Sequence, residues 1–481
     1  MAVAGPTWLQ TALQANAQEA PPGHRFRMYL DGWNDRFGMD NAKEELKSSL
    51  HRLAGAGGNW TEMRAKVRAR ESGLINGLAS IDPGGIHVVH GKSTAPFLTG
   101  VGNEHPLENG MAFLDPYGLP GLPGSSVKGT LRRAAEELAL FEDRSGWTPL
   151  RVWRLFGFDG SSTFLNPPRT GKHASAREDE AREWREAFDR WLGSLDASSV
   201  TDVLSFLKVS TSARSGGLED LGQALTRKDV AGARVRIQGF RDEVHIRGEL
   251  EFWDVVPEPE RASSSGLKAD VFTPHFPEYY GKDKPPSDDQ GPQPLSLLVL
   301  DPDQRFRFTV THRRWLPALA PVTDWKPLLD AAFDHAFEWL GFGAKTSQGF
   351  GRMVRDEEAS RRDEEAREKA RREREAQEEA RAEEKRREAE LRRLEAMGPV
   401  ERFIAELDVE LAAHRNDPRR DPSSLAGFHE RLMTEFSGDD QVKAATKLRE
   451  LYQELKRWSK KDVSKKQFEK VKKIREILGE D

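Results

Sequence analysis

The chain has 481 residues, with 74 Lys and Arg against 79 Asp and Glu, a formal net charge of -5 and no cysteine. Disulfides and thiolate metal sites are therefore excluded, and the slightly acidic balance argues against a protein that binds polyanions over its whole surface. No apolar run has the length of a membrane span, and the N-terminus lacks a basic-then-apolar signal pattern. We therefore expect a soluble, cytoplasmic protein of two or three domains, with no membrane partner.

The N-terminal half contains a helix start with an anion-binding character. Residues 1–75 are predicted to form a partly helical extension, with helical potential at 41–53 and 61–70. A Pro/Gly-rich turn then runs into an amphipathic helix, for which Ser125 or Ser126 is a natural N-cap. The free N–H groups and positive dipole end of such a helix favour an anion, and Lys128 and Arg132 would supplement them.

The middle of the chain predicts an insertion and several strands. Residues 143–239 contain amphipathic helical segments separated by a polar linker, which indicates a helical insertion. Residues 305–311 alternate between apolar and polar side chains, so we expect a half-buried strand there, forming a β-hairpin with the apolar run 295–300. A further alternating strand is expected at 250–256. These elements indicate an α+β core.

The strongest helical periodicity leads into a glycine-rich loop. The apolar spacing over 325–340 predicts a helix that Thr323 caps and Gly341 ends. Loop 341–352 contains four glycines, Lys345 and Arg352, and such loops let backbone N–H groups and a lysine hold an anion. It fits neither the Walker A sequence nor the dinucleotide fingerprint. Taken alone, it is equally well explained as a helix C-cap and turn.

The C-terminal part is charged and helical. Residues 355–396 carry 14 Lys and Arg and 16 Asp and Glu, with opposite charges three and four positions apart. This predicts a solvated single helix of about 60 Å that leaves the preceding domain, with a disordered charged linker as the alternative. Residues 397–481 are predicted to form a small helical domain. Its segment 456–475 holds ten basic residues against two acidic ones, and it could bind RNA, bind an acidic partner surface, or be a solvated helix face.

Two segments together resemble a known family. The helix start Gly-Ser-Ser-X-Lys-Gly-X-Leu-Arg at 124–132 and the distal loop Gly-X-Gly-X-Lys-Thr-Ser-X-Gly-X-Gly-Arg at 341–352 resemble the RAMP superfamily of CRISPR-associated RNA-binding proteins. Segments 248–257, 267–280 and 292–300 are similar to the sixth-subunit family of the type III-B, or Cmr, effector complexes. The resemblance covers about 80–354. It implies a ferredoxin-like, RRM-related fold with insertions over 76–354.

The resemblance also implies a role in holding RNA. The glycine loop is expected to lie beside the guide RNA backbone, close to the helix start, and phosphate contacts suit a subunit that must accept any guide sequence. No catalytic residue, metal or cofactor is expected. The residues expected to contact RNA are Gly124, Ser125, Ser126, Lys128, Arg132, Gly343, Lys345, Thr346, Ser347, Gly349, Gly351 and Arg352.

The implied function is a non-catalytic cap near the 3′ end of the guide in an antiviral ribonucleoprotein. The expected partners are guide RNA, complementary target RNA, other RAMP subunits and the small helical subunit, with cleavage performed by other subunits. Two alternatives remain. One is a protein-only scaffold. The other is a RAMP endoribonuclease that processes guide precursors, with His275, His87, His90 or His105 as general base.

Structural roles are nevertheless expected for these histidines, because no partner is identifiable by spacing. The same holds for three aspartates, which we expect in turns and strands rather than at metal ions. These are Asp82, Asp115 and Asp254.

Overall fold

The computed structural model describes residues 20–27, 60–105, 109–142, 145–160, 174–210, 215–259, 266–273, 294–313, 321–416, 425–461 and 463–480, and the single positions 48, 50, 51, 53 and 285. The chain divides into two compact units, 1–370 and 371–481. Most of the helix expected at 41–53, and the candidate base His275, lie outside the described residues. The helix expected at 61–70 is confirmed.

The first elements of the first unit are α1 (Pro22–Arg27), α2 (Trp60–Ile81), β1 (Ile86–Ser93), β2 (Phe113–Leu114), β3 (Leu119–Pro120), α3 (Gly124–Phe141), α4 (Pro149–Phe156) and β4 (Gly157–Phe158). They continue with α5 (Ala174–Ser194), α6 (Ala197–Ser210), α7 (Ser215–Thr226), α8 (Val230–Glu243), β5 (Ile246–Arg247), β6 (Leu250–Phe252), β7 (Glu258–Pro259), β8 (Leu267–Phe272), β9 (Leu295–Leu300), β10 (Gln304–His312), α9 (Trp325–His335) and β11 (Met353–Arg355). Helix α10 (Glu357–Ala396) follows, and the second unit ends with α11 (Pro399–Asn416), α12 (Leu425–Thr434), α13 (Gly438–Glu454) and α14 (Lys465–Leu478).

The centre of the first unit is an antiparallel sheet in the order β11-β1-β10-β6, with β7 also paired to β10. Its register places Val89 opposite Phe308 and Val310 opposite Phe252. Helix α3 lies in the chain between β1 and β6, and α9 lies between β10 and β11. Both helices pack on one face of the sheet, where their apolar residues share a core with Phe306 and Phe308. This core is where burial of apolar area stabilises the domain most.

Strand β10 is buried on both faces, so the expectation of a half-buried strand is wrong. Phe306 and Phe308 are 0 % exposed on the core face, and Arg307 and Thr309 are only 4 % exposed on the opposite face. Arg307 reaches α2, where its guanidinium donates to Glu71 at 2.6 Å and to the Ser72 hydroxyl at 2.9 Å. Alternation predicted the strand correctly, but it could not reveal that other helices cover the polar face.

The start of helix α10 belongs to this covering layer. The Asp356 N–H donates to the His90 carbonyl at 3.0 Å, and one oxygen of Asp363 lies 3.3 Å from His90 Nε2 and another 3.9 Å from Arg307. The expectation that the charged segment 355–396 leaves the preceding domain is therefore wrong for the start of that segment. Charged residues in the first turns of α10 instead find partners on the sheet.

The predicted β-hairpin of 295–300 with 305–311 is also wrong. Strand β9 pairs with β8, with Leu267 opposite Leu300, whereas β10 pairs with β1, β6 and β7. The turn between β9 and β10 bonds to β1, because the Asp303 N–H donates to the Ser93 carbonyl at 2.9 Å. This turn directs β10 into the centre of the sheet, where its phenylalanines meet α9. The strand expected at 250–256 is confirmed in part, as β6.

Helix α9 ends as predicted but begins differently. Gly341, with φ of +69°, follows a wider π-helical turn at Ala336–Leu340. The N-cap position is Asp324 rather than Thr323, and its side chain makes no capping hydrogen bond. Asp324 instead pairs with Arg151 at 3.1 Å, so a tertiary ion pair has replaced the local cap.

The predicted insertion has its own core. Helices α5–α8 surround Trp153 and Phe158, which come from α4 and β4, together with Phe188 and Phe206. In the second unit, helices α11–α14 share another core that includes Phe403, Leu432 and Leu448. None of the helices formed by the described residues combines the length and apolar character needed to cross a membrane.

Replacing Arg307 tests the covering layer. Arg307→Ala leaves Glu71 without its buried partner, so we expect the free energy of unfolding to fall by about 3 to 5 kcal/mol. Urea denaturation followed by tryptophan fluorescence reports on the first unit, since Trp458 is the only tryptophan beyond residue 370. The control is Arg362→Ala, whose ion pair with Glu358 is exposed and should contribute less than about 1 kcal/mol. Equal losses in both variants would contradict the interpretation.

The pH dependence of stability offers a second test. Burial opposes ionisation of Asp363, but His90, Arg367 and Arg307 together hold its pKa below the usual value. An unfolded Asp titrates near pH 3.9, so this carboxylate stabilises the fold above that pH and less as the pH falls through its lower folded pKa. Asp363→Asn should lower the urea midpoint at pH 7 and flatten its decline between about pH 5 and pH 3. Asp202→Asn, at an exposed position, should leave the decline unchanged.

Candidate nucleic-acid interface

Helix α3 begins one residue before the predicted serine caps. Pro123 occupies the N-cap position, and no side chain of the helix start caps it. The Asp254 carboxylate, 130 residues away in sequence, accepts a hydrogen bond from the Gly124 N–H at 2.7 Å. The serine-cap prediction is therefore wrong. Asp254 has a structural role, as expected, but one that no local pattern could have indicated.

Glycine at position 124 is required by the protein itself. A Cβ there would lie 2.1 Å from the Phe252 carbonyl oxygen, so the helix start packs directly against the end of β6. Because Asp254 already occupies its N–H group, Gly124 is a poor donor to an external phosphate. The open part of the helix start is instead formed by Ser125, Ser126 and Gly129, which are exposed.

The two basic residues of the helix start differ in accessibility. Lys128 is half-buried, and burial lowers the pKa of its ammonium group, with Arg132 and Arg247 lowering it further and Asp159 raising it. Arg132 is only 6 % exposed and pairs with Glu136 at 3.1 Å and Asp159 at 3.2 Å. The phosphate contact predicted for Arg132 does not fit this environment, because its guanidinium already serves a buried ion-pair cluster.

The glycines of the loop at 341–352, hereafter the glycine loop, have two kinds of environment. Gly351 has a φ of +69°, and a Cβ there would lie 1.8 Å from the Phe342 carbonyl oxygen. At Gly343, a Cβ would lie 2.3 Å from the Leu98 carbonyl oxygen. At Gly349, by contrast, no atom lies within 4 Å of a Cβ. Two predicted contact glycines thus serve internal packing, whereas Gly349 has open space beside its Cα although its N–H donates to the Thr346 carbonyl.

Several N–H groups of the glycine loop are also used internally. Ala344 donates to Leu98, Gln348 to Lys345 and Gly351 to Pro96. The first N–H groups of the short 3₁₀ turn Thr346–Gln348 have no partner within that turn. The start of this turn therefore offers backbone N–H groups to an anion.

The side chains of the glycine loop form a small cationic surface. Ser347 and Arg352 are exposed, and Thr346 and Lys345 are half-buried. Lys345 adopts the left-handed conformation, with φ of +59° and ψ of +29°. Its ammonium nitrogen lies 4.2 Å from the centre of the Phe272 ring, over β8. This cation–π contact directs the charge of Lys345 to one side of the loop.

The two predicted segments lie at opposite edges of the sheet and at different levels along its strands. Gly124 packs against Phe252 of β6, which pairs with Val310 in the second half of β10. The glycine loop enters β11 where Met353 pairs with Ser93, next to the start of β10. Three strand spacings of about 4.8 Å separate the two edges by roughly 14 Å, and the difference in level adds to that distance. The expectation that the segments lie side by side is wrong, and one phosphate cannot contact both.

The structure describes three of the four candidate histidines, and each of the three contacts a structural partner. His87 Nε2 lies 3.0 Å from Asp330, His90 Nε2 lies 3.3 Å from Asp363, and His105 Nε2 lies 2.8 Å from the Phe26 carbonyl. His105 also stacks on the Phe26 ring, and burial lowers its pKa. Each of these histidines therefore helps to join elements that are distant in the sequence.

The two remaining aspartates also have structural partners. Asp82 accepts a hydrogen bond from the Gly84 N–H within a turn, and Asp115 pairs with Arg27. Both lie at turns, which agrees with the expectation that these aspartates lie in turns and strands.

Sequence reasoning missed two features of this region. Trp339, in the π-helical turn before the glycine loop, is 70 % exposed. Gly129 lies inside helix α3 with no atom within 4 Å of a Cβ, so packing does not explain its lack of a side chain. A glycine inside a helix costs roughly 0.5 to 1 kcal/mol relative to alanine. A glycine at such an unfavourable position in a predicted helix was the signal in the sequence that could have identified Gly129.

Comparison with known proteins gives the family. The RAMP superfamily model matches residues 90–354, which is more than half of the chain. The chain belongs to the RAMP superfamily. One curated relative of this RAMP protein is the CRISPR system Cmr subunit Cmr6 of Pyrococcus furiosus, 33 % identical over 115 residues. The matched stretch is 22 % of the chain and only 31 % of the relative.

Two solved structures are also similar to this RAMP protein. The structure of type III-B Cmr-beta bound to cognate target RNA is 16 % identical, with a TM-score of 0.36, over 68 % of this chain and 78 % of that one. The crystal structure of Cmr6 from Pyrococcus furiosus is 23 % identical, with a TM-score of 0.25, over 56 % of this chain and 98 % of that one.

The contrast between two glycines of this RAMP protein can be measured. Gly129→Ala should raise the free energy of unfolding by about 0.5 to 1 kcal/mol, because the site is helical and open. Gly351→Ala should lower it by more than about 1 kcal/mol, because the residue is left-handed and packed against Phe342. Urea denaturation of both variants checks the pair. Destabilisation by Gly129→Ala would show that this position has a packing role.

Proposed function

We propose that this RAMP protein is a non-catalytic RNA-binding subunit of a type III-B CRISPR ribonucleoprotein. In this role it holds the guide RNA near its 3′ end and helps to assemble the complex that targets foreign RNA in antiviral defence. Guide RNA, complementary target RNA, other RAMP subunits and the small helical subunit are its proposed partners. Membership of the RAMP superfamily and the partial similarity to Cmr6 support this assignment.

We infer that the core is ferredoxin-like. The order of elements β1, α3, β6, β10, α9 and β11, with the sheet order β11-β1-β10-β6, supports this inference. The flat sheet face that RRM domains use for RNA is covered here by α2 and the start of α10. RNA is therefore proposed to bind at the edges of the sheet rather than on its face.

One observation carries the proposal. Both family segments, the helix start at 124–132 and the glycine loop at 341–352, present exposed polar side chains next to a glycine with open space beside it, at an edge of the sheet. At the helix start these are the hydroxyls of Ser125 and Ser126 beside Gly129, and in the glycine loop they are Ser347 and Arg352 beside Gly349. A separation of at least about 14 Å corresponds to four or more nucleotides at roughly 3.4 Å each along a stacked strand. We propose that the two segments hold different phosphates of one strand.

The proposed contact residues are therefore a reduced set. Arg132 is assigned to the internal structure by its burial, and Gly124, Gly343 and Gly351 by their close packing. Gly349 is left out because its N–H donates to the Thr346 carbonyl at 2.9 Å. The residues proposed to contact phosphate are Ser125, Ser126, Lys128, Lys345, Thr346, Ser347 and Arg352.

Replacing the basic residues of both segments tests the function. The triple variant Lys128→Ala, Lys345→Ala and Arg352→Ala should bind single-stranded guide RNA more weakly. Losing three phosphate contacts should reduce the slope of log affinity against log salt by about 2. Fluorescence anisotropy over a salt series measures both quantities. As the control, the triple variant Lys66→Ala, Lys208→Ala and Arg182→Ala removes the same charge from exposed positions elsewhere.

Three outcomes would contradict the proposal. Unchanged RNA binding by the triple variant would favour a protein-only scaffold. Equal weakening by the control would indicate a general charge effect. Cleavage of guide-precursor RNA by the purified chain in the presence of EDTA, lost in His87→Ala or His275→Ala, would favour an endoribonuclease.

A further inference from the structure

The second unit carries a lysine-rich surface that lies outside the family segments. Between residues 456 and 473, seven lysines are exposed. Among the residues that the structure describes, none of these seven has an ion-pair partner. We call them the lysine patch: Lys456, Lys460, Lys461, Lys465, Lys466, Lys472 and Lys473.

The fold holds the lysine patch in place. Helix α14 begins at a capping box, in which the Ser464 hydroxyl accepts from the Gln467 N–H and the Gln467 side chain accepts from the Ser464 N–H. Val471 and Ile474 of this helix are 0 % exposed in the core of the second unit. Arg475 donates to the Trp458 carbonyl at 3.3 Å and lies over the Trp458 ring. The segment before α14 is thereby tied to the helix.

The stability of the unit does not explain the positions of these lysines. Lys465 and Lys466 lie in the first turn of α14, which has no acidic residue, and a cation there is opposed by the helix dipole. Burial lowers the pKa of His429, the hydrogen bond to the Lys470 carbonyl raises it, and the positive charges of Lys470 and Lys473 lower it further. The charges of these two lysines therefore oppose protonation of a buried side chain in the same unit.

The composition of the patch distinguishes between two kinds of anionic partner. Protein interfaces are enriched in aromatic residues, Met and Arg and depleted in Lys. Here the exposed cations are all lysines, and no large exposed apolar residue falls within the described part of 456–480. A lysine acts as a mobile point charge that suits phosphate, and neutralised phosphates release counterions. Both properties favour a nucleic-acid backbone over an acidic protein surface.

We propose that the lysine patch binds the phosphate backbone of a nucleic-acid strand without regard to sequence. This contact lies outside the two family segments and goes beyond the function proposed above. The second unit would then bind nucleic acid independently of those two segments. The overall charge of -5 hides this property, because the basic residues are concentrated in one short segment.

The test uses the full chain and a mixed-sequence single-stranded RNA. The quadruple variant Lys460→Gln, Lys461→Gln, Lys465→Gln and Lys466→Gln should bind it more weakly. Four lost contacts should reduce the salt slope by about 3. The variant should unfold at the same temperature as the parent chain or higher, because cations have been removed from a helix start. A matched control removes four exposed charges elsewhere, at Lys66, Lys369, Lys385 and Lys443.

Measurement in two backgrounds separates this inference from the proposed function. The quadruple substitution should reduce the salt slope by the same amount in the parent chain and in the triple variant at Lys128, Lys345 and Arg352. An unchanged salt slope in the quadruple variant would overturn the inference, even if the triple variant binds RNA more weakly. Equal weakening by the matched control would overturn it as well. So would displacement of the RNA by poly-glutamate as effectively as by unlabelled RNA, since that result would indicate an acidic protein partner.

Discussion

The buried guanidinium of Arg307 is the interaction on which the architecture of the first unit depends. It lies on the polar face of the central strand, where carboxylates from α2 and the start of α10 offset the cost of burying its charge. These contacts convert a sheet with one apolar face into a sheet covered on both sides. They also fix the direction in which the chain continues after β11.

This covering has a consequence for binding. A sheet whose second face is closed cannot offer that face to a ligand, so a ligand has to bind at the margins of the sheet. The helix start and the glycine loop both lie there, at opposite edges and at different levels along the strands. The functional proposal therefore rests on the topology as much as on the composition of the two segments.

The glycines show why a pattern rich in one residue type has more than one cause. Gly124, Gly343 and Gly351 are needed because the protein's own carbonyl oxygens approach them closely. Gly129 and Gly349 face open space, where a partner can come near the backbone. Both kinds look identical in the sequence. A family resemblance assigns one role to the whole motif, although its glycines have different structural roles.

The sequence by itself determined the local elements and the family. Apolar periodicity predicted α9 and its end at Gly341, β10 and the helices of the insertion, because these depend on the spacing of neighbouring side chains. Tertiary structure decided the partners: β9 pairs with β8, Asp254 caps α3, and Arg132 is buried in an ion-pair cluster. Such contacts join residues far apart in the chain or depend on burial. Their free energy arises only when the whole fold brings the groups together and removes them from water.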